Sequence, residues 1–476
     1  MITLTGFPGV GALMSSRRLI RVTASATAGI ALLAGAFLSS PVATAATPGP
    51  TTIPSTSSFS APDLSHDEII VPKSHLVSPR SSGMKSLGTA RSEAAASTVV
   101  KHAVWVSVAA VTSKTSDDQS KPLSAAAIKA GVAAMHDYWW RESGHRVNIV
   151  LGGIERISLK KSTCNTNTVL ASASTVAFKG AFAKYKWVGK NKHLVVLSRE
   201  KCGAQAFGTV GADGGEIFSG NGMSASLGVP VLLHEFGHNL GFLHAGSGMC
   251  HSTTDFDSTL SNYAYPDDSP TATCPVEAYG DFLDIMGYTM SNARPHLSSV
   301  QRILSGYMRD FTTVSTPGTT STVTVHALGS TTSGQAVRIL DPISKTYYYV
   351  EYRTRAGADA GSAEFNGHQS TCVDTGSGYS KCSWTSFAKT GAVRVLRAFT
   401  PAGGGTQNAT AVLAAGTYGT RDAHTRDTHL DAGESFRNYG NGFTVAVVSL
   451  SPTNGAVLKI TLNSTSQPEP TPAPSQ

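Results

Sequence analysis

One short run concentrates the residues able to do metal chemistry: His234-Glu235-Phe236-Gly237-His238-Asn239-Leu240-Gly241-Phe242-Leu243-His244. On an α-helix His234 and His238 sit about 40° apart around the axis, one turn above the other, so both imidazoles can reach one cation. Glu235 lies about 100° round from His234, which aims its carboxylate at a water on that cation rather than at a coordination position. That is general-base geometry. His244 follows His238 by six residues, and on a continued helix it would point about 120° away from the shared metal. The helix must therefore stop, and Gly241 can take a positive φ without a Cβ clash and turn the chain back to deliver His244 as a third ligand. Three neutral imidazoles leave one zinc position open for water, as in catalytic rather than structural sites. Zinc lowers the pKa of that water toward about 7, so Glu235 can take its proton during attack on a polarised carbonyl and pass it to the leaving amine. The competing reading, a helix whose histidines only satisfy hydrogen bonds, leaves the coincidence of Glu235, Gly241 and His244 unexplained.

These side chains need a scaffold, and the sequence around them alternates strand and helix. Leu233, Phe236 and Leu240 would pack the far side of the active-site helix into a core. Upstream, residues 99–108 are rich in β-branched types and read as a strand, and 124–143 carry Ile128, Val132, Met135 and Trp139 at helical spacing behind a Ser124 cap. Residues 147–151 and 193–197 read as two further strands, with a helix expected between them around 175–185. This β-α-β-α-β order predicts a mixed, mostly parallel sheet with helical crossovers over residues 98–312. Past about residue 312 the pattern changes to successive strands (322–328, 336–340, 347–353, 392–399, 443–450 and 456–462) separated by Gly, Thr and Asn turns. That predicts an all-β, sandwich-like domain over residues 313–463, followed by a Pro-rich disordered tail at 464–476.

The N-terminus reads as a secretory signal over residues 1–45: Arg17, Arg18 and Arg21 precede an Ala-rich apolar run and the small residues Ala43-Thr44-Ala45-Ala46. The run is short and interrupted for a membrane anchor, and no later segment is long and apolar enough to cross a bilayer, so a secreted, extracellular protein is expected. Residues 46–97 are rich in Ser, Thr, Ala and Pro and read as a pro-segment or a linker. They contain no cysteine, so any group there that blocks a metal would be a carboxylate such as Asp63, Asp67 or Glu68.

The six cysteines, Cys164, Cys202, Cys250, Cys274, Cys372 and Cys382, favour disulfides in an exported chain; fifteen pairings exist, and the simplest joins neighbours. Of the 476 residues 14% are charged, and the formal net charge is +7. The positive charges are scattered, with no basic run interleaved with aromatics, which argues against nucleic acid as a partner. Asp255, Asp257, Asp267 and Asp268 could bind calcium, although they lack EF-hand spacing.

The extended HExxHxxGxxH run followed by Asp284-Ile285-Met286-Gly287-Tyr288 resembles the signature of the metzincin peptidases. Together with Tyr279-Gly280-Asp281-Phe282-Leu283, the wording is similar to the gametolysin family of secreted metalloendopeptidases, a match that covers chiefly residues 229–290. The resemblance implies a metzincin-like catalytic domain, one catalytic zinc on His234, His238 and His244, and Glu235 as general base. It also implies Met286 as the apolar floor under the histidines. Tyr288 stands where some metzincins carry a tyrosine that ligates zinc or stabilises the oxyanion. By position, the glycine-containing segment 207–218 would be the edge strand that pairs with extended substrate. Segments 347–353 and 430–436 look like the β-domains appended to related bacterial enzymes. The expected activity is zinc-dependent hydrolysis of protein or peptide substrates. Two other readings compete: a secreted protein that binds cell-wall or matrix-like polymer through its β-domain, and a hydrolase of non-peptide amides or esters.

Overall fold

A computed structural model describes residues 68–70, 98–112, 123–160, 165–183, 186–198, 206–211, 213–220, 228–248, 263–264, 276–277, 279–287, 293–366, 369–374, 380–385, 391–399, 409–413, 429–438 and 440–464. In chain order the first elements are β1 (Glu68–Ile70), β2 (Val100–Thr112), α1 (Ala125–Glu142), β3 (Val147–Lys160), α2 (Thr166–Val176), β4 (Lys192–Ser198), β5 (Ala206–Val210), β6 (Gly215–Ser219) and α3 (Gly228–Asn239). There follow β7 (Ala245–Gly248), β8 (Tyr263–Ala264), β9 (Val276–Glu277), α4 (Ser299–Leu304), β10 (Thr312–Val314), β11 (Thr320–Val325), β12 (Ala336–Leu340), β13 (Tyr347–Thr354) and the short α5 (Ala363–Asn366). The chain closes with β14 (Gln369–Asp374), β15 (Ser380–Thr385), β16 (Gly391–Phe399), β17 (Ala409–Leu413), β18 (Ser435–Arg437), β19 (Phe443–Ser451) and β20 (Gly455–Leu462). The fold is thus mixed α/β, with few helices and several sheets.

The first sheet has the order β1-β5-β6-β4-β2-β3. Every neighbouring pair in it is parallel except the β5–β6 hairpin. Strand β4 shows why both faces must be covered, since it is apolar at consecutive positions and alternate side chains leave a strand on opposite sides. Val195 and Leu197 join the core shared with Ile128, Val132 and Trp139 of α1 and Leu232, Leu233 and Phe236 of α3. Leu194 and Val196 join the opposite core, with Val169, Leu170 and Ala173 of α2. Helix α1 begins where expected: the Ser124 side chain accepts a hydrogen bond from the Ala127 backbone at 3.1 Å.

The second helix differs from expectation. It begins at Thr166 rather than near 175, because Asn165 caps it by accepting from the Thr168 backbone, and it ends where Ala177 turns extended. Phe178 and Lys179 then take left-handed conformations (φ 52° and 58°), with the Phe178 amide donating to Glu155 Oε2 at 2.6 Å. The apolar pattern beyond 175 therefore belongs to a packed turn, in which Phe178 lies edge-on to Trp105.

The second sheet runs β10-β12-β13-β16-β17-β7-β9-β8 and so joins strands from both halves of the chain. Its central junction is the parallel pairing of β17 with β7, with Thr410 opposite Ala245 and Leu413 opposite Gly248. A third, antiparallel sheet, β11-β20-β19-β18, shares one core with it through Val350, Val393 and Val395 on one side and Val445, Leu458 and Ile460 on the other. In the small fourth sheet Cys372 stands opposite Cys382 across β14 and β15. Opposed antiparallel residues have Cα atoms about 4.5–5.5 Å apart, within the range of a disulfide. The other four cysteines lie outside the described residues. Among the described residues, no helix is long and apolar enough to cross a membrane.

Candidate metal centre

Helix α3 carries His234, Glu235 and His238 toward the interior, and all three are buried. The helix ends as the spacing of His244 demands. Gly241 takes φ +97°, its amide donates to the His238 carbonyl at 2.8 Å, and the Phe242 amide donates to the Gly237 carbonyl at 3.0 Å. These paired bonds, with glycine in the left-handed position, form a Schellman cap, which satisfies the last helical carbonyls and reverses the chain. His244 is thereby brought back beside the helix. The ring centroids of His234, His238 and His244 lie 4.8, 4.9 and 5.3 Å apart in pairs, and each residue offers a ligand atom within 4.8 Å of the others.

Two of the rings are oriented by backbone carbonyls. His234 Nδ1 donates to the Ile285 carbonyl at 2.9 Å, and His238 Nδ1 donates to the Phe242 carbonyl at 2.8 Å. Such bonds fix the tautomer and leave Nε2 with its lone pair for a metal. His234 Nε2 is indeed buried with no hydrogen-bond partner. Burial lowers the pKa of His234 from 6.5 to about 4. Burial first, and then the neighbouring imidazoles, hold His238 and His244 well below 6.5. All three rings are neutral at pH 7, the form that binds metal. Zinc nitrogens at tetrahedral positions are about 3.4 Å apart, so modest ring rotations bring this triad onto one ion. His234, His238 and His244 could therefore bind a metal ion.

Met286 lies beneath the helix, fully buried, and its Sδ occupies the space a Cβ on Gly237 would need. Gly237 sits between the two helical histidines, so the thioether and that glycine pack as a matched pair. The turn around Met286 is tied down locally, with Asp284 accepting from the Met286 amide at 2.8 Å and from the Ser298 amide at 2.7 Å. Glu235 is buried against β5: a Cβ on Gly208 would come within 2.7 Å of the Glu235 carbonyl oxygen and 3.0 Å of its Oε2.

The segment 207–218 divides into two strands with different roles. Both strands pack against α3, but neither is the expected edge strand: β6 is flanked by β5 and β4, and β5 has β1 outside it. The outer side of β5 pairs in parallel with β1, Glu68 standing opposite Gly208 and Ile70 opposite Val210. Tyr288 and the aspartates Asp255, Asp257, Asp267 and Asp268 lie outside the described residues.

Two groups near the site have no expected role from sequence. Tyr279 lies with its ring centroid 3.7 Å from that of His244 and 5.7 Å from that of His234, and its backbone is left-handed at φ 61°. A tyrosine held in that conformation is strained, and no spacing rule announces it. The second group is a buried polar chain behind α3. His102 Nδ1 and His193 Nε2 are 2.9 Å apart, His193 Nδ1 lies 3.0 Å from Asn239 Oδ1, and the Asn239 amide donates to the Thr209 carbonyl at 2.8 Å. It ties the end of α3 to β5 through side chains drawn from two strands, His102 of β2 and His193 of β4.

That chain works only with neutral imidazoles. His193 Nδ1 donates to Asn239, so its Nε2 accepts from His102. Burial is the first cause that lowers both, to about 3 for His102 and about 4 for His193. An unfolded histidine titrates near 6.5, so the unfolded chain takes up these protons first. The stabilisation is complete above pH 6.5 and is lost as pH falls from there toward 4, by on the order of 3 kcal/mol for His193 alone. Replacing His193 by Gln should flatten the fall of the unfolding midpoint between pH 7 and 4.5. Parallel curves for the two proteins would refute this account.

In comparisons with known proteins, no family model matches the chain and no curated protein matches it.

Proposed function

We propose that the chain is an exported zinc-dependent endopeptidase of metzincin type, resembling the gametolysin family. One observation carries this reading: the helix that bears His234, Glu235 and His238 ends at a left-handed Gly241, which brings His244 back among the other imidazoles with Glu235 alongside. Three neutral nitrogens are a donor set suited to zinc. Bound there, zinc would lower the pKa of a coordinated water to about 7 and polarise the substrate carbonyl. Glu235, buried beside the triad, takes the proton of the attacking water and delivers it to the departing amine. Gly208 lets β5 approach Glu235 closely, so a peptide paired to the outer side of β5 in place of β1 would pass the carboxylate. Met286 under Gly237 supports the resemblance, as does the shared core of the second and third sheets, consistent with a sandwich-like second domain.

β1 belongs to the segment read as pro-segment or linker, and it occupies the side of β5 that an extended substrate would use. A tethered strand of this kind competes at an effective concentration of about millimolar, so its removal lowers KM more than it raises kcat.

The test uses protein beginning at residue 46 and protein beginning at residue 98, each incubated with a mixed protein substrate before and after chelation. Cleavage that disappears with chelator and returns with stoichiometric zinc is expected, with the lower KM in the shorter form. Cleavage indifferent to chelation sinks the proposal. Binding of cell-wall polymer without any hydrolysis would favour the alternative, a secreted binding protein acting through its β-strands.

A further inference from the structure

We infer that Arg394, in the second half of the chain, is a positioning residue for the metal site: through Asp281 it fixes the turn whose carbonyl orients His234. The inference rests on the reading of the triad as a metal site.

Arg394 lies on β16 and is fully buried. Its Nη2 pairs with Asp281 Oδ2, and its Nη1 lies 3.1 Å from Glu351 Oε1. Asp281 opens the loop that leads to Met286. Its Oδ1 accepts from the Leu283 amide at 2.9 Å, and its own amide donates to the Ala245 carbonyl at 3.2 Å, one residue past His244. The Ala245 amide in turn donates to the Met286 carbonyl at 2.9 Å. A second buried guanidinium, Arg353 on β13, donates to the Leu283 carbonyl and at 3.1 Å to the His296 carbonyl, and it shares Glu351 with Arg394. The loop is therefore clamped at both ends by arginines from the second half, and its Ile285 carbonyl receives the His234 Nδ1 proton.

The same half also holds the third ligand. His244 leads directly into β7, which pairs with β17, and the Thr410 amide donates to the His244 carbonyl at 3.4 Å. Contacts of this kind are spread over residues 61–476, which form one compact unit. The strands after residue 312 thus act as a wall of the metal site as well as any separate surface they present.

Arginine is needed because its planar fork addresses Asp281 and Glu351 at once, which a lysine cannot do. The experiment measures zinc affinity of the full chain by competition with a chromophoric chelator, and the visible spectrum of Co2+ bound in place of zinc. Arg394→Lys is compared with Asp281→Asn, and with the double variant Asp281→Asn/Arg394→Met, which removes both charges if an unpaired Asp281 unfolds the single Arg394→Met variant. Leu458→Ala, in the core far along β20, serves as a control for stability loss alone. Expected is a fall in zinc affinity of about 10- to 100-fold with an altered Co2+ spectrum in the Arg394 and Asp281 variants. The double variant should be no worse than Asp281→Asn, and Leu458→Ala should bind as wild type. Wild-type affinity and spectrum in the Arg394 variants overturn the inference, as does equal weakening by Leu458→Ala. Zinc affinity in His238→Ala equal to that of the wild type overturns the metal reading itself.

Discussion

Replacing Glu235 by alanine should leave the bound zinc in place and remove hydrolysis. The carboxylate is not one of the three ligands, and the rings of His234 and His238 are oriented by the Ile285 and Phe242 carbonyls rather than by Glu235. Metal content should accordingly stay near one equivalent per chain. A positioned general base contributes about 10²–10⁴-fold to rate, or about 3–5 kcal/mol of barrier, so kcat should fall by that factor. Glu235→Gln keeps the shape of the side chain against Gly208 and should fall equally, which separates proton transfer from packing. Zinc analysis and progress curves on a fluorogenic peptide decide it. Equal turnover by wild type and either variant would falsify the general-base assignment.

Gly241→Ala should do the opposite, weakening metal binding through the backbone. The nearest atom to a Cβ at this position would be the Gly211 Cα at 3.7 Å, an ordinary contact, so there is room for the methyl group. The difficulty is the φ of +97°, which an L-residue adopts at a cost of about 1–3 kcal/mol. Relief of that strain requires the Gly241 and Phe242 amides to leave the His238 and Gly237 carbonyls. The Phe242 carbonyl, which orients His238, moves with them, and His244 lies two residues further on. Two ligands are thus displaced by one methyl group, and zinc affinity should fall about 10- to 100-fold. Chelator competition read beside thermal unfolding checks the result. An alanine variant that unfolds earlier but binds zinc unchanged would separate the cap from the site.

Much of this centre is legible in the sequence because its parts are local. Helical geometry alone demands that the chain turn between His238 and His244, and Gly241 makes that turn by the expected means. The strands over 336–340, 347–353 and 443–450 are equally readable, since β-branched and aromatic residues alternate there between clear turns. What is not legible depends on partners far along the chain. Arg353 and Arg394 look like solvated charges on strands, yet both are completely buried because Asp281, Glu351 and Asp359 meet them in space. His102 and His193 stand in strands 91 positions apart and become a pair only when β2 and β4 lie side by side. Tyr279 depends on a left-handed turn that no residue pattern requires. The segment 207–218 reads from its position as one edge strand; the left-handed Gly211 and Asp213 instead fold it into a hairpin.

The pairing of β17 with β7 has a consequence in time. Ala245 meets Thr410, a residue made 165 positions later (410 − 245). A chain still being synthesised carries all three histidines and Glu235 long before it carries the strand that anchors the segment leaving His244. Contacts so distant in sequence form late, because their loop entropy must be met before they contribute. The histidine cluster therefore reaches its final arrangement only after nearly the whole chain has emerged, and for the proposed peptidase the order of residues along the polypeptide would act as a delay on activity.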